Sequence, residues 1–181
     1  MKGVVFTEFL DMVDTSFSPA VTDRIVEIAA PPNDGAYTAV GTYDAAEMVA
    51  LVQALSAETG QPIDALLHAF GRYLLGRFAA LHGGYFSDAG GTFRLLESLD
   101  ERIHTDVRKL DANAELPHFD CRQTGDGSLE VDYSSPRGLA RLAEGLIAAC
   151  IEHYGEPIEL RIESQSDDGT QARFVLQQRP G

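Results

Sequence analysis

The chain is short of basic residues, of cysteine and of long uncharged apolar runs, and each shortage removes a class of function. Only 14 Lys and Arg stand against 28 Asp and Glu, a formal net charge of −14. That balance gives no basic face for a phosphate backbone or an anionic membrane surface, so neither a nucleic acid nor a membrane is expected as partner. Two cysteines, Cys121 and Cys150, are too few for a disulfide framework, and neither sits in a C-x-x-C pair. A reducing, cytoplasmic setting follows as the expectation. No stretch approaches the roughly 18 apolar residues of a spanning helix, and the opening from Met1 meets Glu8 before a signal-like apolar run develops, so classical export and membrane embedding are not expected. Catalytic signatures are missing as well: there is no G-x-S-x-G, P-loop, H-E-x-x-H or EF-hand loop. Acidic residues are plentiful, but composition places none of them in a site, and no enzyme is predicted.

What is present is a pattern of two halves. With 44% hydrophobic residues in 181, one domain over 1–181 can bury a core large enough to enclose a cofactor. The first half has helical spacing and cap chemistry. Ser18 before Pro19 opens a segment to about Ala30, a loop runs from Pro31 to Gly41, and Asp44 with Glu47 forms a capping box before a helix closed by Gly60. The clearest helix spans Ile63 to Leu81. After a glycine-rich break from Gly83 to Gly91, Thr92 is expected to cap a helix with the stripe Phe93, Leu96, Leu99, Ile103, Val107 and Leu110. His104 lies at the edge of that stripe.

From Pro117 the period changes to two, which predicts strands near 118–123 and 129–134 around the turn signal Asp126 and Gly127. Ser135 before Pro136 repeats the cap-and-proline opening of a helix that runs past Leu139, Leu142, Leu146 and Cys150 to Gly155. Ile158, Leu160 and Ile162, then Ala172, Phe174 and Leu176, alternate with polar residues about a turn at Asp168 and Gly169. The fold class is α+β: a helical N-terminal part plus a C-terminal antiparallel sheet with helices.

Taken singly, the candidate site residues have ordinary explanations. A histidine at the edge of an apolar helix face is more often a packing residue than a ligand. Tyr133 can end a strand, Ser135 can cap a helix and Arg137 can lie on the surface. Together, however, positions 133, 135 and 137 of an extended chain present a phenol, a hydroxyl and a guanidinium to one side, and a helix N-terminus at Ser135 favours an anion. A carboxylate-bearing ligand suits that set.

These residues carry a resemblance that runs end to end: the chain resembles the haem nitric oxide/oxygen-binding (H-NOX) family, bacterial relatives of the haem domain of soluble guanylate cyclase. Tyr133, Ser135 and Arg137 match the family's Tyr-x-Ser-x-Arg motif, downstream of His104, the run Val107 to Leu110 and Pro117. The opening Met1-Lys2-Gly3 and the run Tyr133 to Gly145 are also similar. The resemblance implies haem b buried between the helical part and the sheet, and the lack of a C-x-x-C-H sequence makes it noncovalent. By the same resemblance His104 is the proximal iron ligand, Pro117 presses on the porphyrin, and Tyr133, Ser135 and Arg137 anchor the propionates. Val5, Phe9, Leu74, Phe78, Leu142 and Leu146 are the implied apolar contacts. Leu142, Phe9 and Leu74 stand where oxygen-binding members can be polar, and none of them can donate a hydrogen bond. The family therefore implies a sensor of nitric oxide, with carbon monoxide as a further gas ligand and discrimination against oxygen. Nitric oxide is then expected to weaken the His104 bond to iron and let the helix carrying His104 move. The implied partner is a separate histidine kinase or cyclic-di-GMP enzyme. Some relatives carry a zinc site near the C-terminus; with no cysteine after Cys150, none is expected here. A haem-independent interaction module of the same fold, or an oxygen-binding haem protein, are the alternatives.

Overall fold

The computed structural model describes residues 1–112, 114–125 and 127–179, apart from the side chain of Leu110. Asp126, expected in the first hairpin turn, and the Leu110 side chain, expected on a buried stripe, lie outside the described residues. The N-terminal helices are α1 (Gly3–Ser16), α2 (Pro19–Ala29), α3 (Ala45–Thr59), α4 (Ile63–Leu81), α5 (Gly83–Ala89) and α6 (Thr92–Glu97). A π-helical turn, Leu99–Ile103, leads into α7 (His104–Leu110). The strands β1 (His118–Gln123) and β2 (Ser128–Ser134) precede α8 (Ala140–Tyr154), and β3 (Ile158–Gln165) and β4 (Gln171–Gln178) follow it. All strand pairs are antiparallel, in the order β1-β2-β4-β3, so the α+β architecture is as the sequence implies. Among the described residues no helix is long and apolar enough to cross a membrane.

Local chemistry accounts for most boundaries. The Ser18 side chain accepts from the Val21 N–H with Pro19 opening α2, and Asp44 accepts from Ala46 N–H at the start of α3. Glu47 departs from the expected capping box: it accepts the Tyr37 hydroxyl at 2.9 Å instead of reaching back to the helix start. α4 has the bounds its periodicity predicts.

Three expectations are corrected. The Gly83–Gly91 break contains the short helix α5, closed by Gly90 in the left-handed conformation. Thr92 does not cap α6 with its side chain, which is fully buried; its N–H donates to the Glu156 carboxylate at 2.9 Å, so a residue 64 positions away supplies the acceptor. The single helix expected from Thr92 to Leu110 is divided by the π-helical turn, in which the His104 N–H reaches back five residues to Leu99 O.

α8 lies between the two halves and contributes to three buried clusters. Leu142 joins the helical core with Phe9, Phe70 and Leu74. Ala140, Ala143, Ile147 and Ile151 pack on the sheet with Val131, Phe174 and Leu176. Ala149 and Cys150 meet Leu75 and Phe86.

The contact of α8 with α4 is made backbone to backbone at a pair of glycines. A Cβ on Gly71 would stand 2.2 Å from Leu142 O and 2.9 Å from Gly145 Cα, and one on Gly145 would stand 2.1 Å from His68 O. No side chain fits between, and the atoms in the way are backbone, which cannot rotate aside. Gly71→Ala and Gly145→Ala are each expected to lower stability by roughly 1–3 kcal/mol. Because one separation of the helices relieves both clashes, the double variant should cost less than the sum. Urea midpoints of the four proteins check this; single losses below about 0.5 kcal/mol would show that the helices part freely.

Candidate functional site

The π-helical turn winds wider than an α-helix and changes the direction of the side chains that follow. Asp100 lies in this turn, four residues before His104, and the imidazole Nδ1 lies 2.7 Å from Asp100 Oδ1. The other oxygen of Asp100 accepts the Phe119 N–H at 3.1 Å and pairs with His118 Nδ1, so one carboxylate joins His104 to the start of β1. His104 is buried, and burial pulls its pKa below the ordinary value, outweighing the Asp100 carboxylate that acts the other way. The neutral imidazole is the metal-binding form. Among the described residues no hydrogen bond is made to its Nε2.

From His104 a series of ring contacts leads to the motif: His104 to Phe119 at 6.1 Å, Phe119 to Tyr133 at 5.4 Å and Tyr133 to Phe174 at 6.4 Å between centroids. Tyr133 and Ser135 are buried. Burial pushes the Tyr133 phenol above its usual pKa, while the neighbouring Ser135 hydroxyl, the Leu139 N–H and Arg137 oppose that shift. The Arg137 N–H donates to Ser135 Oγ at 3.3 Å. The Arg137 guanidinium donates to Glu115 O, two residues before the half-buried Pro117. Among the described residues its buried Nε has no hydrogen-bond partner. Tyr133, Ser135 and Arg137 thus converge, beside a surface concavity of about 510 Å³ to which Ser135, Pro136 and His118 contribute.

The route to convergence differs from the one expected. Ser135 and Pro136 do not open a helix, so the proposed helix N-terminus at Ser135 is withdrawn. The chain is extended only to Ser134, turns through Gly138 at φ +66°, and starts α8 at Ala140. The turn is seated on the β3–β4 turn: Ser135 N–H donates to Thr170 O at 2.8 Å and Ala140 N–H to Gly169 O at 3.2 Å. In a helix beginning at Ser135 the Ala140 N–H would donate to Pro136 O; here it goes to the β3–β4 turn instead.

The six apolar candidates form a second group on the helical side. Phe9, Leu74 and Leu142 are buried in one cluster, with Val5, Phe78 and Leu146 packed against it. The Phe9 ring meets Phe70 edge-on at 5.1 Å. α8 joins this wall to the His104 and Tyr133 side, since it supplies residues to both clusters. Sequence reasoning missed Asp100, Phe119, Thr170 and Gly169. An aspartate four residues before a histidine was a visible signal for the first; Thr170 and Gly169 act through backbone atoms and leave none, and the Phe119 ring contacts depend on the register of β1 on β2.

A model of haem-NO-binding domains matches residues 2–162. The chain belongs to the haem-NO-binding (H-NOX) family. It is 32% identical to the unliganded Fe(II) H-NOX protein of K. algicida, covering 100% of this chain and 98% of that one with a TM-score of 0.92. With the Fe(II)NO form of the S. oneidensis H-NOX protein, identity is 26%, coverage 99% and 100%, and the TM-score 0.91. For the IWP-051-bound Fe(II)CO H-NOX of Shewanella woodyi the figures are 32%, 99% and 95%, and 0.84. No curated protein matches by sequence. H-NOX domains are haem-based gas sensors and are not themselves catalytic; haem is accordingly the cofactor of this chain. Its residues suit such a group: a neutral imidazole with an unbonded Nε2, a buried guanidinium N–H lacking an acceptor, and an apolar wall of the kind a porphyrin face requires.

The seat of the motif has its own pH dependence. Asp168 accepts from the Thr170 N–H at 3.0 Å and from the Thr170 and Ser166 hydroxyls at 2.7 Å each. These bonds lower its pKa from 3.8 to about 2. A carboxyl depressed by folding stabilises fully above its ordinary value and loses that contribution as pH falls through the folded value. Protection factors at Ser135 and Ala140, taken against the intrinsic exchange rate at each pH, should therefore hold steady above about pH 4 and fall as pH approaches 2, whereas in Asp168→Asn they should be low throughout. An Asp168 that titrates near 3.8 by NMR would contradict the arrangement.

Proposed function

We propose that the chain is a haem-based sensor of nitric oxide that discriminates against oxygen and passes its signal to a separate protein. His104 Nε2 is the nitrogen for the iron. Tyr133, Ser135 and Arg137 hold the propionates by charge-assisted hydrogen bonds, the buried Arg137 Nε among them, and Pro117 bears on the porphyrin. When bound, the haem supplies the iron at which a diatomic gas is captured.

The observation that carries the choice of gas is the wall made by Phe9, Leu74 and Leu142. None of these side chains has an N–H or O–H, and the tyrosines at the border of their cluster direct themselves elsewhere. Tyr37 donates to Glu47, Tyr43 accepts from Thr38, and Tyr73 lies beside Asp11, Glu8 and Arg77. A wall without donors gives no hydrogen bond to a captured gas, which disfavours oxygen and leaves nitric oxide, which needs none, unaffected. The S. oneidensis and S. woodyi proteins are known in Fe(II)NO and Fe(II)CO states, and nitric oxide and carbon monoxide are the gas ligands assigned to this chain. A histidine kinase or a cyclic-di-GMP enzyme is the assigned partner. Both cysteines are free thiols, which suits a reducing cytoplasm.

Absorption spectra of the reduced, haem-reconstituted chain before and after nitric oxide, and separately air, test the reading. The Soret band should shift with nitric oxide, and air should give no persistent oxygenated spectrum. A persistent one would make the chain an oxygen binder, and failure to hold haem would make it an interaction module. His104→Gly should lose the protein ligand and regain the parent spectrum with added imidazole. Arg137→Ala should speed haem loss to an acceptor protein roughly ten- to a hundredfold, from the ~1.5–3 kcal/mol of a charged hydrogen bond. Leu142→Tyr, which adds a donor to the wall, should prolong the oxygenated spectrum in air; an unchanged lifetime would remove the wall as the basis of discrimination.

A further inference from the structure

We propose that Asp100 is a positioning residue for His104, fixing both the tautomer and the ring plane of the imidazole that faces the iron; this rests on the reading of His104 as the ligand. A neutral imidazole carries one N–H, and a carboxylate accepts. With Nδ1 at 2.7 Å from Asp100 Oδ1, the proton belongs on Nδ1 and the lone pair on Nε2. A ring fixed in this way donates more strongly to a metal than a free one, because the carboxylate draws the Nδ1 proton and gives the ring part of an imidazolate's charge.

The carboxylate is itself held. Its second oxygen accepts the Phe119 N–H at 3.1 Å and pairs with His118 Nδ1, so β1 fixes it from the side opposite His104. The side chains of His104 and Asp100 are only 11% and 20% exposed, which limits competition from water. The π-helical turn sets the spacing: Thr105 Oγ1 donates to Asp100 O at 3.1 Å across five residues, holding the two turns in register.

A purely structural role, in which Asp100 only ties the turn to β1, predicts something different, and Asp100→Asn separates the two. The amide keeps the size of the carboxylate and removes its charge. If Asp100 positions and polarises His104, the iron–histidine stretching frequency of the reduced protein should fall by resonance Raman and the haem midpoint potential should rise. A structural role lowers the melting temperature and moves neither. Unmoved frequency and potential in a folded Asp100→Asn protein overturn the proposal. An unchanged His104→Gly spectrum overturns instead the assignment of the ligand. Should Asp100→Asn fail to fold, ¹⁵N-histidine NMR of the carbon monoxide-saturated ferrous parent decides: a downfield, slowly exchanging Nδ1 proton on His104 supports the bond to Asp100, and a fast-exchanging one refutes it.

Discussion

Two glycines facing each other across α4 and α8 set a helix separation that no other residue type permits, and the placement of the rest follows from it. With Gly145 Cα and the Leu142 carbonyl close against Gly71, Leu74 one turn along α4 and Leu142 one turn back along α8 are carried into the same cluster. The apolar wall is therefore a product of backbone contact. Enlarging either glycine would move Leu142 away from Leu74 before it altered either side chain.

α8 then couples the wall to the sheet. Its residues alternate between the helical core and the sheet core at the spacing of a helix in contact on several sides, which is why it is apolar nearly all round. The segment before it is seated on the β3–β4 turn at both ends, the Ser135 N–H on Thr170 O and the Ala140 N–H on Gly169 O. That seating places Ser135 and Arg137 beside Tyr133. The motif owes its shape to a hairpin more than 30 residues further along the chain.

Much of this was legible in the sequence, for a physical reason that also marks its limit. α4 has the expected bounds because its apolar spacing and its breakers are local, and the strand ranges and hairpin turns are equally local. Tyr133, Ser135 and Arg137 were found because they share a short motif, and their convergence was anticipated, although through an extended chain where the structure has a turn. The division of the Thr92–Leu110 helix was invisible, since the stripe from Phe93 to Val107 fits an unbroken helix nearly as well as one with a π-helical turn. The Glu156 acceptor for Thr92 and the carbonyls of Gly169 and Thr170 were invisible because backbone partners distant in sequence leave no pattern in residue type. Asp100 lay in between, since aspartate four residues before histidine is common on helices and only the contact with Phe119 gives it a role.

The helix carrying His104 is held by contacts of unequal strength. On its outer face Tyr85 donates to Asp106 at 2.9 Å, Arg102 pairs with Asp88 and lies 5.3 Å over the Tyr85 ring, and Lys109 pairs with Asp106 at 2.8 Å. These groups are largely exposed, and water competes for each of them, so such pairs add little. Beyond its C-terminal end Lys2 pairs with Asp111 at 2.9 Å. On the inner face the Asp100 carboxylate meets the His104 imidazole and the Phe119 N–H in a shielded position, where hydrogen bonds to charge are worth about 1.5–3 kcal/mol each, with the exposed His118 at its edge. The better-shielded contacts of His104 and its helix are therefore those with Asp100 and, through it, with the Phe119 N–H of β1. Because β1 pairs with β2 with Phe119 opposite Tyr133, these inner contacts tie the helix carrying His104 to the strand that carries Tyr133.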